Sequence, residues 1–250
     1  LAFPLLWLVF NAALEGVLPR DLLLGFCLLA ALPSTISSSV AMTAVARGDV
    51  PVAIFNATLS SLLGIVLTPL LLSLLGNADT HGVSLGATML NIAKLLLLPL
   101  IAGQLLRPLV AGWFARIKHR VSVIDRTVIL LLVYAAFCNS VQSGLWRDHG
   151  VGLIVTTLLG AALFLGIILV LSTVLARRLQ FKRGDEIAAV FCGSKKTLAS
   201  GIPLAALIFG GHPGLGLIVL PIMLYHQLQL FVCAALAYRY ARAAPKTTAP

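Results

Sequence analysis

Charge is what this sequence has least of. Only 10% of its 250 residues are Asp, Glu, Lys or Arg, and 8 of them are acidic. A soluble domain carries about 25% charged residues. Hydrophobic residues make up 60% of the chain, and the mean hydropathy is +1.04. That is too little charge to cover a water-facing surface of this size, which excludes an ordinary soluble enzyme, a nucleic-acid-binding domain and a disordered tail. Metal-type cysteine spacing is missing too. Cys27, Cys138, Cys192 and Cys233 are far apart, each within an apolar stretch, and they read as buried thiols. No GxxxxGK[ST] loop cradles a phosphate, which argues against an ATP-driven pump. No strict alternation of apolar and polar residues supports a barrel. No charged segment precedes the apolar run at Leu1, so that run is not a signal peptide, and the chain reads as a fragment lacking its N-terminal part.

What is present is a series of long apolar runs. A spanning helix needs about 20 mostly apolar residues. Eight candidates follow one another: Leu1–Leu14 (truncated), Leu22–Ala46, Val50–Leu75, Val83–Leu109, Val123–Ser143, Val151–Ala176, Ile187–Phe209 and Gly214–Ala237. The net charge of +10 is then a statement about topology rather than about nucleic acid, for which no aromatic-plus-basic platform exists. If the loop Arg116–Arg126 is cytoplasmic and the spans alternate, thirteen of the eighteen Lys and Arg residues fall inside. Arg20 and Arg147 fall outside, and Lys94, Lys195 and Lys196 lie within spans. The C-terminus is then cytoplasmic, and residues 241–250 read as a disordered tail.

Two spans break the apolar rule in the same way. One carries Pro33-Ser34-Thr35-Ile36-Ser37-Ser38-Ser39 at its middle, the other Cys192-Gly193-Ser194-Lys195-Lys196-Thr197, followed by Ser200, Gly201 and Pro203. Proline removes a backbone donor and clashes with the preceding turn, while hydroxyls offer the freed groups local partners. Such unwinding at membrane depth is tolerated only where it is buried in protein or lines a cavity. Each broken span is followed by a Gly-containing turn and a long apolar helix. The first of these helices holds Asn56, Thr58, Ser60 and Ser61, the second His226, Gln227 and Gln229. By the loop charges the two broken spans run in opposite directions, which points to an inverted-repeat transporter with its site at the midplane. The plainer alternative is a pair of Pro-kinked helices packed through small residues.

At these residues the chain resembles the bile acid:sodium symporter superfamily, and more narrowly its bacterial symporter branch. Leu32–Val40, continuing to Ala46-Arg47-Gly48-Asp49, resembles that family's first crossing helix, and Phe191–Ala199 its second. The resemblance implies an all-α integral membrane fold of ten helices in two inverted five-helix repeats, with two crossing discontinuous helices, of which about eight spans are present here. It implies a core domain made of residues 1–76 and 151–240 and a panel domain made of residues 83–143. It also implies transport of an organic anion, often with sodium, by movement of core against panel. The sequence departs from the sodium-dependent pattern. Ser38-Ser39 stand where that pattern has Ser-Asn, and Phe191, Lys195 and Lys196 stand where it has Glu, Gln and Asn. The acidic sodium ligand is missing, so sodium coupling does not simply carry over.

The deep membrane region contains no Asp or Glu, yet three lysines lie within spans. An ammonium near the bilayer centre costs at least about 2.5–3.5 kcal/mol unless it is paired or wetted. With no acidic partner at that depth, a water-filled cavity, an anionic substrate or loss of the proton remain. Lys195 or Lys196 is therefore expected to face the crossing point, to attract an anion or to replace a bound cation with a built-in charge. The alternative is snorkelling to the cytoplasmic face, because Lys195 lies only about 15 Å of helix beyond Asp185. The expected substrate-binding set is Lys195, Lys196, Thr197, Ser194, Lys94, Asn91, His226 and Gln227. Ser38, Ser39, Thr58, Ser60 and Ser61 could form a neutral oxygen cage for sodium, or else serve as helix-contact hydroxyls. His226 reads as a proton relay or a packing histidine.

The leading expectation is a secondary transporter of an organic anion in the cytoplasmic membrane, acting as a monomer or weak homodimer. It would use no cofactor, and its coupling ion would be sodium or a proton. Two other classes compete with it: a non-transporting receptor or regulatory protein, and an intramembrane hydrolase using Ser194 with Lys195 or Lys196. The hydrolase fits poorly, since adjacent residues diverge by about 100° on a helix and a Ser–Lys dyad must converge.

Overall fold

The computed structural model describes residues 18–75, 85–142, 145–209 and 211–243. Among them all regular structure is helical: α1 (Arg20–Ala31), α2 (Ile36–Val45), α3 (Val50–Leu75), α4 (Leu85–Gln142), α5 (Leu145–Arg178), α6 (Arg183–Ser194), α7 (Leu198–Phe209) and α8 (Leu215–Arg242). The expected first span, Leu1–Leu14, and residues 244–250 of the expected tail lie outside the described residues.

Two stretches, Gly150–Arg178 and Leu215–Arg242, are each long and apolar enough to cross a membrane. Two bent helix pairs raise the number to as many as four among the described residues. Apolar side chains cover the outside as well as the inside. Leu109 is 80% exposed, Val151 75% and Phe231 76%. A soluble protein does not present such surface so widely; in lipid it carries no penalty.

The packed centre is built from α1 against α8 and α5. Leu22, Phe26, Leu29, Phe164, Ile218 and Tyr225 form its middle, with the Phe26 and Phe164 rings 6.3 Å apart. Gly25 makes the approach of α1 to α8 close. A Cβ there would lie 2.5 Å from the Ile218 carbonyl oxygen and 2.9 Å from the Pro221 ring. A second, smaller cluster joins Ala46, Ile187, Phe191, Cys233 and Ala237 at the other end.

That end is also where the basic residues collect. The Asp49 amide donates to the Gly184 carbonyl at 3.0 Å, joining the turn after α2 to the start of α6. Arg183 donates to the Tyr240 and Ala243 carbonyls at 2.8 and 2.7 Å, where a cation suits the C-terminus of α8. Arg177 pairs with Glu186 at 3.1 Å. At the opposite end His212, after α7, lies 3.8 Å from Asp21 in the first turn of α1. So α1–α2 and α6–α7 run in opposite directions. Arg47, Arg177, Arg178, Lys182, Arg183, Arg239 and Arg242 gather toward one side, as the loop charges require.

One expectation fails. The segments Val83–Leu109 and Val123–Ser143 were expected as two spans joined by a basic loop at Arg116–Arg126. The structure instead runs Leu85–Gln142 as one helix of 58 residues. At 1.5 Å per residue it is about 87 Å long, far beyond the ~30 Å of a hydrocarbon core. The loop was inferred from charge alone. Arg, Lys and Ala are good helix formers, and a cation bars a segment from hydrocarbon without bending its backbone. Residues 113–142 contain neither Gly nor Pro.

Candidate functional site

The chain leaves the helix twice in the middle of the packed bundle, at Leu32–Thr35 and at Lys195–Thr197. At the first, α1 ends with the Leu32 amide donating to the Leu28 carbonyl at 3.0 Å. Pro33 has no N–H to continue the ladder, and Leu32 and Thr35 are extended, so that α2 departs at 62° to α1. Gly64 on α3 makes room for this turn, since a Cβ there would lie 2.6 Å from the Pro33 ring.

The backbone groups freed at Leu32–Thr35 are met by side chains from elsewhere. Ser60 Oγ accepts from the Ser34 amide at 3.0 Å, and Ser61 Oγ donates to the Ser34 carbonyl at 3.4 Å. Thr68 donates to the Ala31 carbonyl at 2.8 Å. The Lys196 ammonium donates to the carbonyls of Ala30 at 3.0 Å and Leu32 at 2.5 Å. The two interruptions touch directly through the Thr197 amide, which donates to the Pro33 carbonyl at 3.2 Å.

The second interruption is held by α8. Tyr225 donates its hydroxyl to the Ser194 carbonyl at 2.6 Å. Gln229 clasps the Lys196 peptide groups from both sides, accepting from its amide at 2.7 Å and donating to its carbonyl at 2.8 Å. The Gln229 amide nitrogen also donates to His226 Nδ1 at 2.9 Å. Both Tyr225 and Gln229 are fully buried. Thr197 then starts α7, with its carbonyl accepting from Gly201 at 3.2 Å.

Lys195 and Lys196 are adjacent in the extended segment and serve different ends. Lys195 is fully buried, and its ammonium has no hydrogen-bond partner among the described residues. It lines a cleft of about 450 Å³, together with Pro33, Ser34, Asn56, Ser60 and Cys192. Lys196 borders the same cleft, and its ammonium is directed to the end of α1. Neither is a snorkelling side chain, since both are buried.

The other expected residues divide. Ser194 turns its hydroxyl back to the Val190 carbonyl at 2.7 Å. Gln227 is exposed; the glutamine at the junction is Gln229, which the expected set left out together with Tyr225. Tyr225, Gln229, Cys233 and Ala237 recur every fourth residue as one buried stripe of α8, and Gln227 falls away from it. Lys94 is exposed on α4, and the side chain of Asn91 lies outside the described residues. The five hydroxyls expected as a cage are not one cluster. Ser60 and Ser61 serve the Ser34 backbone, while Ser39 Oγ lies 3.4 Å from both Ser34 Oγ and the Phe191 carbonyl. Ser38 Oγ is buried without a partner, and Thr58 is exposed. Ser34, not in the expected set, is the residue they share. Among the described residues no group of three or more His, Cys, Asp or Glu could hold a metal ion.

The match to known proteins covers nearly the whole chain. The SBF-like CPA transporter family matches residues 1–242. The chain belongs to that family. It is 46% identical over 240 residues to the protein PA2026 of Pseudomonas aeruginosa, covering 96% of this chain and 72% of that one. It is 45% identical over 221 residues to the Escherichia coli protein named "Putative symporter YfeH", covering 87% of this chain and 65% of that one. It is 30% identical over 232 residues to "Sodium/bile acid cotransporter 7" of Rattus norvegicus, covering 92% and 68%. The chain thus spans about two thirds of the length of these relatives. Membership of a transporter family, with apolar helices on the outside, makes this a membrane protein.

Proposed function

We propose that this chain forms the greater part of a secondary active transporter that moves an organic anion across the cytoplasmic membrane, with the basic end of the bundle facing the cytoplasm. Each helix pair around an interruption is read as one discontinuous crossing, and the two as equivalent members of an inverted repeat. The observation that carries this reading is the junction itself. Two segments of non-helical backbone meet through the Thr197–Pro33 hydrogen bond, beside a cleft lined in part by Lys195, whose buried ammonium has no hydrogen-bond partner among the described residues. Irregular backbone at membrane depth is the usual place for a transported solute, and a buried cation without an acidic partner favours an anion as its counter-charge.

The cleft is lined largely by apolar side chains and hydroxyls, which suits an amphipathic anion with one carboxylate or sulfonate and a hydrocarbon body. Alternating access would follow from movement of the α1–α3 and α5–α8 assembly against α4, driven by a sodium or proton gradient. An enzymatic role gains no support from Ser194. Its hydroxyl is bonded to its own helix, and its carbonyl to Tyr225.

The test is uptake in proteoliposomes containing the purified protein. A panel of labelled aliphatic and steroidal carboxylates and sulfonates, including a bile acid, would be offered with and without an imposed ion gradient. Gradient-dependent accumulation of at least one anion is expected, together with its loss in Lys195→Met. Uptake that survives Lys195→Met unchanged would remove Lys195 from the site.

A further inference from the structure

The end of α1 is a cation site with a cation already in it. Ala30, Ala31 and Leu32 present three successive carbonyls there, Pro33 supplies no amide to close the turn, and the helix end carries about half a negative charge. Carbonyl oxygens in such a cluster are hard donors of the kind that coordinate small hard cations. Thr68 occupies Ala31, and the Lys196 ammonium occupies Ala30 and Leu32. Of the acidic residues, Asp21, Asp49, Asp185 and Glu186 lie at the outer ends of helices, and the Ala30 and Leu32 carbonyls accept from the ammonium.

The side chain is committed to that place. Gln229 holds both the amide and the carbonyl of Lys196, and Lys195 is extended at φ −93°, ψ 140°, so the two lysine side chains leave the segment on different sides. The Lys196 ammonium is thereby held at the helix end. A free cation could reach the same oxygens only by displacing a tethered one, against the repulsion of a buried like charge.

We propose that Lys196 is the resident cation of this transporter. The junction then takes no free sodium, and removing the ammonium opens a latent site for a small monovalent cation at the Ala30 and Leu32 carbonyls. The inference deepens the carrier reading and depends on it only for the consequence that sodium at this point does not drive transport. Binding without substrate therefore tests it separately from uptake.

The experiment is thermal unfolding of the purified full-length protein in detergent, in sodium chloride against choline chloride at equal ionic strength, for the wild type and Lys196→Ala. The wild type is expected to show no sodium-specific shift. Lys196→Ala is expected to unfold at a lower temperature in choline and to regain about 5 °C in sodium or methylammonium at saturating concentration. If Lys196→Ala does not fold, Lys196→Ser takes its place, since its short side chain leaves the Ala30 and Leu32 carbonyls open and brings no charge. A saturable sodium response in the wild type would overturn the proposal, as would a folded variant without any small-cation response. Failure of uptake with these binding results intact would instead count against the carrier reading.

Discussion

The two interruptions of the bundle solve one problem with opposite chemistry. At Leu32–Thr35 the freed groups are mostly acceptors, because Pro33 has lost its amide and the end of α1 presents carbonyls. They are met by the hydroxyls of Ser61 and Thr68 and by an ammonium. At Lys195–Thr197 the segment itself brings two ammonium groups and the amide of Thr197, and α8 answers with a glutamine that can donate and accept at once. The first is short of donors and the second rich in them. Electrostatics therefore gives each a reason to lie against the other, and the Thr197 amide and the Lys196 ammonium both cross the gap. A polar network in a low-dielectric centre is costly unless every member is satisfied, so the pairing also selects this arrangement over others.

The most severe way to break that complementarity is Lys196→Met. It leaves the Ala30 and Leu32 carbonyls without their donor in a buried setting, and stability should fall by about 3–5 kcal/mol. Detergent unfolding monitored by tryptophan fluorescence would show it. Next comes Gln229→Leu, which unclasps both the amide and the carbonyl of Lys196. Two buried groups are left unpaired, at about 1–3 kcal/mol each. Gln227→Leu, two residues away and exposed, should change stability by no more than about 0.5 kcal/mol. Equal effects of the two glutamine variants would mean that α8 does not present its Tyr225–Gln229 face to the junction.

That pair of glutamines also shows what the sequence could and could not disclose. The positions of both interruptions are legible, because Pro33 and the runs of Ser, Gly and Lys act on the local backbone. The depth of Lys195 and Lys196 is legible from the apolar residues around them. Which glutamine matters depends on the rotational phase of α8, which is set by packing against α1 and α5. Only the four-residue recurrence of Tyr225, Gln229, Cys233 and Ala237 carries a trace of it. Lys195 and Lys196 look equivalent as letters. They separate only when the backbone is extended, since a helix would turn them by about 100° and an extended strand sends them to opposite sides. The basic stretch Arg116–Arg126 misleads for a related reason: charge reports the solvent of a segment and not its backbone geometry.

Lys195→Met sharpens the comparison from the other side, because its effect on stability should have the opposite sign to that of Lys196→Met. Its ammonium is buried without a hydrogen-bond partner, so replacing it with an apolar chain of similar length removes a desolvation cost. Stability should rise by about 1–3 kcal/mol while anion uptake is lost. A gain in melting temperature together with loss of transport would separate a residue retained for function from one retained for structure. If Lys195→Met destabilises as much as Lys196→Met, both lysines hold the junction together and neither is reserved for a solute.

The smallest effect belongs to Ser60→Ala, and it asks whether the first interruption is wet. Ser60 supplies the oxygen for the Ser34 amide, a hydrogen bond similar in kind to those made by Gln229. It differs in lining the cleft and being only partly buried, whereas Gln229 is sealed between helices. Water entering the cleft can take over the Ser34 amide once the hydroxyl is gone, so the loss should stay at or below about 1 kcal/mol. Should Ser60→Ala cost as much as Gln229→Leu, no water reaches the amide, and the cleft beside Lys195 is dry. A dry cleft could not accept a hydrated anion from either side of the membrane, so this modest substitution tests the access that transport requires.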